Sequence, residues 1–334
     1  MNEATISFLN RAKSGYVKAR KIAFQTGIKN KIQNERQQAS QLTIDYTGQQ
    51  ASDLIKSKLL DERPCMISRF GSVELRATVQ YLEVTKIPNF PLEKSINYIL
   101  CKGPELWWPE KLKIDLESCA GFFPATDEYL EDFGSRMIQD IQNIDVLGSW
   151  RPEEKKLLEL LKQPSIVKLL DLEPFRHLNP WSESLEGKVV LVIHPFEESI
   201  QKQYQKREFL FKDKRVLPEF DLKTFKAVQS VKGANCEFET WFDAFDWMCE
   251  EIAKIKFDIA IIGAGAYGLP LASYVKSLGK KSVHMGGGTQ LLFGIKGKRW
   301  EKNEELKSTF YNQYWVNPLP SEVPNNWHHQ ANYG

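Results

Sequence analysis

The sequence predicts an α/β protein with a largely parallel sheet that carries helices on both faces. Residues 188–194 (KVVLVIH) and 257–262 (FDIAII) are short apolar runs rich in β-branched residues, as is typical of buried parallel strands. Segments with apolar residues at helical spacing separate such runs, and strands that alternate with helices favour parallel pairing. At 334 residues, 42% hydrophobic and 26% charged, the chain can bury the core of one large domain or two modest ones.

The chain divides into three predicted regions. Residues 1–50 form a basic helical extension, residues 51–310 form a single α/β domain, and residues 311–334 form an irregular tail rich in Pro, Asn and His. We interpret His328 and His329 in that tail as surface residues rather than metal ligands.

The elements of the domain follow from the periodicity of its apolar residues. Helical spacing predicts helices at 51–60, 72–82, 126–143, 152–161, 196–209 and 240–255, with Thr126 as the cap of the third. Apolar runs predict strands at 65–69, 146–147, 188–194, 222–228, 257–262 and 281–285. A last helix follows residue 268 and stops at Gly279.

The N-terminal extension is basic and amphipathic. Eight Lys or Arg residues fall between Arg11 and Arg36, and an apolar face is formed by Ile6, Leu9, Tyr16 and Ala23. Such a helix can lie on an anionic membrane surface, or it can be a solvated helix that packs on the main domain. The second interpretation is favoured, because runs of charge are usually solvated faces.

The composition argues against several classes of protein. A net charge of +2, without zinc-finger spacing or an RNA-recognition motif, does not indicate a nucleic-acid partner. The five cysteines include no C-x-x-C pair, which indicates reduced thiols in a cytoplasmic protein rather than a disulfide framework. The longest uncharged run, 259–275, is too short for a membrane span and is broken by glycines and a proline.

A glycine-rich turn is the strongest functional signal. Residues 263–268 (GAGAYG) follow a predicted strand and open a helix, so Gly263, Gly265 and Gly268 form a G-x-G-x-x-G pattern around Tyr267. Glycines let the backbone approach a ligand, and the first N–H groups of the helix can face an anion. No acid occurs from 259 to 300, whereas six Lys or Arg do, so we expect positive charge to lie around this turn. The combination predicts a site for a phosphate or a diphosphate.

Two other interpretations of this turn remain open. A dinucleotide site normally has an acid at the end of the next strand, but that strand ends in His284, Gly286 and Gly287. The dinucleotide interpretation is weakened by this absence. The glycines can also serve only to pack the helix against the strand.

Three further strand ends carry reactive or flexible residues. Residues 68–74 supply Arg69 for a phosphate, Gly71 for a tight turn, Ser72 as a helix cap, and Glu74 for a cation or a sugar hydroxyl. Alternatively, Arg69 pairs with a neighbouring acid and Glu74 only complements the helix dipole. His194 follows the clearest strand, where it can act as a base, donate a hydrogen bond or orient the turn. The third is the 284–290 loop, which can close over a base or ribose or permit close packing. Because carboxyl ends of parallel strands share one edge, we expect these loops to meet.

Residues 67–74 (ISRFGSVE) and 261–287 together resemble the GT-D type glycosyltransferases. The first motif of that family usually reads Arg-aromatic-Gly-Asp-x-Glu. Arg69, Gly71 and Glu74 match it, and Ser72 stands where the aspartate is expected. The resemblance implies a Rossmann-like domain that transfers a sugar from a nucleotide donor, typically a UDP-sugar.

The resemblance also implies the roles of individual residues. It implies that Glu74 binds a divalent cation, Mn²⁺ or Mg²⁺, or takes part in catalysis. Independently of the resemblance, the position of His194 after a strand makes it a candidate base, as are the nearby Glu197 and Glu198. The donor would contact Arg69, Gly71, Ser72, Gly263, Gly265, Tyr267, Gly268, His284, Gly286 and Gly287.

The implied partners are a nucleotide-sugar donor and a glycan or lipid-linked acceptor, as in surface polysaccharide synthesis. The basic extension leaves peripheral contact with the inner face of the membrane open, and self-association into a homo-oligomer is open as well. Two other function classes also remain: a nicotinamide-dependent oxidoreductase or epimerase, and a non-catalytic nucleotide-binding module.

Overall fold

A computed structural model describes residues 3–25, 42–85, 92–102, 105–231 and 236–323. Its strands are β1 (Cys65–Ser68), β2 (Val146–Ser149), β3 (Ser165–Lys168), β4 (Val189–Ile193), β5 (Asp221–Phe225), β6 (Ile259–Ile262) and β7 (Lys281–His284). Its α-helices are α1 (Glu3–Gln25), α2 (Gln49–Leu60), α3 (Ser72–Thr85), α4 (Leu92–Ile99), α5 (Glu110–Asp115), α6 (Asp127–Asp140), α7 (Glu197–Tyr204), α8 (Arg207–Leu210), α9 (Trp241–Ala253), α10 (Gly268–Ser277), α11 (Gly288–Leu292) and α12 (Glu304–Thr309).

The seven strands form one parallel sheet in the order β3-β2-β1-β7-β6-β4-β5. The chain winds outward from β1 to β3 and then builds the other half, which ends with β7 beside β1. The strand order therefore reverses between β1 and β7, where Ile67 pairs with Val283. Ligands of open α/β sheets bind beyond the carboxyl ends of the strands at such a reversal.

Both faces of the sheet are apolar because helices cover both. Along β1, Cys65 and Ile67 face one core cluster while Met66 faces the other. In β6 the same alternation sends Ile259 to one side and Ala260 to the other. A strand buried on both faces reads as a continuous apolar run, which is why the central strands were predictable. The predicted Rossmann-like α/β class is confirmed.

Several elements differ from the sequence prediction. Helices α4, α5, α11 and α12 were not predicted, and the helix predicted at 196–209 is divided into α7 and α8. Strand β3 was not predicted, because it has four residues and only Ile166 and Val167 are buried. Residues Pro152–Leu160 form a 3₁₀ helix rather than an α-helix. There the Glu154 carboxylate turns back to accept hydrogen bonds from Ser149 and from the backbone N–H of Trp150. These contacts tie the first turn to the end of β2.

The N-terminal helix α1 packs against α4. Leu9 is buried, the Tyr98 hydroxyl donates to Asn10 Oδ1 at 2.6 Å, and Lys13 Nζ lies 3.9 Å from the centre of the Tyr98 ring. The helix is thus at least partly attached to the domain, while Ala23, as a side chain, and residues 26–41 lie outside the described residues. Within the described ranges no helix combines the length and apolarity needed to cross a bilayer.

The predicted boundaries at residues 50 and 311 cut through packed structure. The backbone N–H of Asp45 donates to the Ile166 carbonyl at 2.8 Å, which attaches the segment before α2 to the edge strand β3. At the other end, Val316 pairs with Ile295 and Trp315 is buried. Residues 324–334, with the two histidines of the tail, lie outside the described residues.

Glu322 holds the described part of the C-terminal segment to α7. This buried carboxylate accepts hydrogen bonds from the backbone N–H groups of Glu198 and Ser199, at 2.8 and 3.2 Å, and from the Ser199 hydroxyl. It therefore caps a helix that is remote from it in sequence, and the segment is part of the folded unit rather than a loose tail.

Replacing Glu322 by Ala should lower the free energy of unfolding by about 1 to 2 kcal/mol, because two N–H groups at the start of α7 lose their acceptor. Urea unfolding followed by circular dichroism measures the difference. Glu186→Ala, at an exposed position, is the matched control and should leave the midpoint unchanged. Equal stability of the two variants would contradict the capping role.

Candidate functional site

One cleft lies at the carboxyl ends of four neighbouring strands, β1, β7, β6 and β4. It has two arms. The glycine arm, about 70 Å³, is lined by His194, Gly263, Gly265, Tyr267, His284 and Gly286. The tryptophan arm, about 390 Å³, is lined by Ser72, Trp150, Leu172, Glu173, Arg299 and Trp300. Both arms share Arg69, Gly71, Glu74, Cys119 and Gly287.

The cleft brings together the residues that the sequence singled out. Arg69, Glu74, His194, Gly265 and His284 come from four separate strand ends, and all of them line it. Ser72 lines the tryptophan arm alone. Gly268 is the exception among the candidates: it lies behind the wall, where a Cβ atom would overlap the His284 ring.

The glycine pattern at 263–268 is required by contacts within the protein. A Cβ atom on Gly263 would lie 2.5 Å from the Gly286 carbonyl oxygen. Gly265 has a φ of 52° and would place a Cβ atom 2.7 Å from the carbonyl oxygen of Ala120. Packing of the turn, one of the interpretations considered above, is therefore sufficient to explain these glycines.

The positive charge of the 259–300 stretch does not surround this turn. Lys276 Nζ lies 2.6 Å from Asp145 Oδ2, just before β2, and Lys281 is the first residue of β7. Both therefore lie at the amino edge of the sheet, a strand's length from the cleft. Of the six cationic side chains in the stretch, only Arg299 lines an arm. The expectation that these charges cluster around the glycines was wrong.

Two guanidinium groups instead meet at the Gly286–Gly287 turn after β7. Gly286 has a φ of 57°, and a Cβ atom there would lie 2.9 Å from Arg69 Nη1. A Cβ atom on Gly287 would overlap the Arg299 guanidinium. Arg69 lies 5.0 Å from the Trp150 ring centre. The positive φ favours glycine at position 286, and a side chain at position 287 would displace the guanidinium group of Arg299.

Sequence reasoning did not identify several residues of the tryptophan arm. Arg299 was counted among the basic residues but not placed, and no signal connected Glu173, Trp300 or Cys119 with the cleft. Trp150 could be found in principle, since it follows a strand. Its indole N–H donates to the Phe70 carbonyl at 3.0 Å, which fixes the ring beside the Arg69 loop.

The carboxylates of the cleft lie in low-dielectric surroundings. Burial raises the pKa of Glu74, and the nearby Arg69 charge opposes that rise. Burial likewise raises the pKa of Glu173, against the opposing charge of Arg176, whose Nε lies 2.5 Å from its carboxylate. Desolvation is the larger effect in both cases. The acids therefore favour their neutral forms more than exposed acids do.

The protein residues of the cleft do not form a metal site by themselves. Among the described residues no group of three or more His, Cys, Asp or Glu side chains has the arrangement needed to hold a metal ion. Ser72, two residues before Glu74 in α3, offers only a hydroxyl, which is a weaker ligand for Mg²⁺ or Mn²⁺ than a carboxylate. Binding of a cation by Glu74 remains a prediction that would need ligand oxygens to complete the coordination.

His194 is oriented as a hydrogen-bond donor. Its Nδ1 accepts the backbone N–H of Phe196 at 2.9 Å, so in the neutral ring the proton is on Nε2. Burial, with a smaller effect from Arg299, lowers the pKa of His194 to about 3. In this tautomer Nε2 already carries a proton, so it can donate a hydrogen bond but cannot accept a proton from a substrate. This geometry does not suit the expected role as a base.

His284 and Tyr267 form part of the cleft wall. His284 Nδ1 lies 3.0 Å from the Ser68 hydroxyl, and burial, assisted by the Arg69 charge, lowers the pKa of His284 to about 3. Tyr267 stacks on Trp241 at 5.0 Å, and its hydroxyl lies 3.1 Å from the Ser230 hydroxyl. Burial raises the pKa of Tyr267, so its hydroxyl stays protonated.

Gly263→Ala should lower the free energy of unfolding by about 1 to 3 kcal/mol with no ligand present, because its methyl group would lie 2.5 Å from the Gly286 carbonyl oxygen and force the backbone to shift. Chemical denaturation measures this. Gly15→Ala in α1 is the control: no atom lies within 4 Å of its Cβ position, and no loss of stability is expected. If Gly263→Ala proved as stable as the parent protein, packing would not be the reason for the glycine.

Nitrogen-15 NMR should show the Nε2–H form of His194 without titration between pH 8 and pH 5. The folded-state pKa values of His194 and His284 are about 3, against 6.5 for an exposed imidazole. Between pH 6.5 and pH 3 the two imidazoles bind protons in the unfolded chain but stay neutral in the folded protein. The free energy of unfolding is therefore unaffected by these two histidines above pH 6.5 and decreases as the pH falls from 6.5 toward 3. A His194 resonance that titrates near pH 6.5 would contradict the assignment.

No protein-family model, curated protein or solved structure matches this chain. A functional proposal therefore starts from the chemistry of the cleft: guanidinium groups on a glycine turn, a buried carboxyl group that both arms share, and a neutral imidazole donor.

Proposed function

We propose that the protein is a glycosyltransferase that moves a sugar from a nucleotide-sugar donor, such as a UDP-sugar, to a glycan or lipid-linked acceptor. One observation supports this above the others. The two segments that resemble the GT-D type enzymes are about 190 residues apart in the sequence, yet Arg69 and Glu74 of the first line the same cleft as Gly263, His284 and Gly286 of the second.

Arg69 and the Gly286–Gly287 turn are suited to the donor diphosphate. A guanidinium group presents paired N–H donors that match phosphate oxygens, and it stays charged at every physiological pH. The turn allows close approach because it has no side chains. In a cleft that excludes water, a cation stabilises phosphate charge more strongly than it does in solution.

The tryptophan arm has the size for the rest of the donor. Its volume of about 390 Å³ lies within the range of roughly 300 to 1,000 Å³ that is usual for small-molecule sites. We place the nucleoside there and the transferred sugar at the junction of the arms, where Glu74 lies. His194 then donates from Nε2 into the glycine arm, toward a sugar hydroxyl.

Glu74 is the carboxylate suited to act as the base in this scheme. It lines both arms, whereas Glu197 is engaged by the Thr224 hydroxyl at 2.7 Å and Glu198 is exposed, and neither lines the cleft. A pKa raised by burial makes the Glu74 carboxylate a better proton acceptor than an exposed one. Glu74 takes the proton of the acceptor hydroxyl as that oxygen attacks the sugar.

Calorimetric titration with UDP tests the proposal. Arg69→Ala should weaken UDP binding roughly 10- to 100-fold, as expected for the loss of about 1.5 to 3 kcal/mol from charge-assisted hydrogen bonds. Lys281→Ala removes the same charge at the opposite edge of the sheet and should change the affinity less than twofold. Failure of the parent protein to bind any nucleoside diphosphate would refute the proposed function.

The nicotinamide alternative is tested by the same approach. Fluorescence titration with NADH should show no binding, because the turn that follows β7 offers Gly286 and Gly287 where a ribose-binding acid would stand. Binding of NADH with loss of binding of UDP would favour the oxidoreductase.

A further inference from the structure

The carboxylate of Glu74 lies directly over the backbone of Gly71. A Cβ atom on Gly71 would overlap the Oε2 and Cδ atoms of Glu74 and would lie 2.5 Å from its Oε1 atom. Glu74 is the third residue of α3, and Gly71 immediately precedes that helix. The Glu74 side chain therefore folds back over the start of its own helix, into space that is open because position 71 has no side chain.

The backbone conformation does not explain the glycine at position 71. Positive φ values occur at Gly265 and Gly286 but not at Gly71. The Gly71 carbonyl accepts the backbone N–H of Leu75 at 2.9 Å, a hydrogen bond that any residue could make. The predicted turn could thus form with another residue at this position. What a side chain there would disturb is the carboxylate of Glu74.

The start of α3 favours the folded-back position of this carboxylate. The first N–H groups of a helix have no partner within the helix. Burial raises the pKa of Glu74, and hydrogen bonding from the backbone N–H groups of Glu74 and Val73, with the charges of Arg69 and Arg76, opposes that rise. Arg76 also has a partner of its own in Asp115, at 2.6 Å. The backbone N–H groups hold the carboxylate while Glu74 still lines both arms.

We propose that Gly71 is a positioning residue, whose missing side chain lets the Glu74 carboxylate lie at the junction of the two arms. This rests on the proposed function, in which Glu74 is the base. As the acceptor oxygen bonds to the anomeric carbon, the bond from that carbon to the diphosphate breaks and its electron pair leaves with the diphosphate. The hydroxyl proton passes to Glu74. Gly71 acts through that carboxylate and not through a contact with the donor.

A methyl group at position 71 should move the carboxylate and leave the fold intact. The atoms that it would meet are the free end of a side chain with rotatable bonds, whereas a methyl group on Gly263 would meet a backbone carbonyl oxygen. Gly71→Ala should therefore melt within about 5 °C of the parent protein. Its Glu74 carboxylate would lie away from the position that suits proton transfer.

Hydrolysis of UDP-glucose and UDP-galactose by the full-length protein, with water as the acceptor, tests the inference. Gly71→Ala should lower kcat roughly 100-fold, while the KM and the affinity for UDP stay within about threefold of the parent values. Glu74→Gln should lower kcat at least as much, and adding Gly71→Ala to it should cause no further loss. Gly15→Ala is the control and should behave like the parent, because no atom lies within 4 Å of its Cβ position.

Carbon-13 NMR tests the position of the carboxylate without a substrate. In protein labelled at the side-chain carboxyl carbon of glutamate, the Glu74 resonance is identified by its absence from Glu74→Gln. This resonance should shift in Gly71→Ala and stay in place in Gly15→Ala. An unchanged Glu74 resonance in Gly71→Ala would overturn the inference.

The outcomes separate the inference from the function it rests on. Weakened UDP binding with an unchanged kcat in Gly71→Ala, or a further loss of kcat when it is added to Glu74→Gln, overturns the positioning role and leaves the glycosyltransferase proposal in place. If the parent binds no UDP, the proposed function fails, while a shifted Glu74 resonance still supports placement of the carboxylate by Gly71. If UDP binds but neither UDP-sugar is hydrolysed, the resonance alone decides the inference.

Discussion

The packing of the turn after β7 is the constraint on which the cleft depends. Three neighbours approach the backbone of Gly286 and Gly287: Gly263 from β6, Arg69 from β1, and Arg299 from the chain beyond the sheet. Since β7 lies between β1 and β6, its carboxyl end is the point that both flanking loops can reach. A side chain on Gly286 or Gly287 would displace the arginine that packs there, because its Cβ atom would lie at or within contact distance of the guanidinium group.

Burial dominates the electrostatics of this region, and the arginine charges modify it. For Glu74, desolvation raises the pKa more than Arg69 lowers it. For His194 and His284, desolvation and the arginines act in the same direction, so both rings stay neutral. The result is a cleft whose permanent charges are guanidinium groups while its histidines are dipoles.

Much of the fold and part of the site follow from local sequence patterns. Continuous apolar runs identify β4 and β6, and parallel pairing then brings the residues after each strand, among them Arg69 and His194, to one edge. Strand β3 was not predicted, because a four-residue edge strand with two buried side chains gives no distinct hydrophobic pattern in the sequence. The location of Arg299 in the cleft was not predicted, because it depends on the Ile295–Val316 bridge, a contact that no local sequence pattern encodes.

Position in the fold also explains why the absence of acids from residues 259–300 did not predict where the positive charge lies. Lys276, Lys281 and Arg299 are close in sequence, but a helix and a strand each carry the chain from one edge of the sheet to the other, so residues at their two ends separate. Likewise, the G-x-G-x-x-G pattern indicates positions at which a side chain would not fit, but it does not indicate which atoms occupy the space beside each glycine. At Gly263 and Gly265 the approaching atoms are carbonyl oxygens of the protein, and at Gly287 they belong to a cation.

The charge of Arg69 links binding of the donor to the pKa of Glu74 in the proposed complex. In the free protein the Arg69 charge partly offsets the burial of Glu74 and so limits the rise of the Glu74 pKa. A diphosphate on Arg69 would use that charge and bring further negative charge, and both effects would raise the Glu74 pKa. The carboxylate would then become a stronger base when the donor is in place. Binding of the donor would thus increase the basicity of the ionised Glu74 carboxylate, while lowering the fraction of molecules in which that carboxylate is ionised.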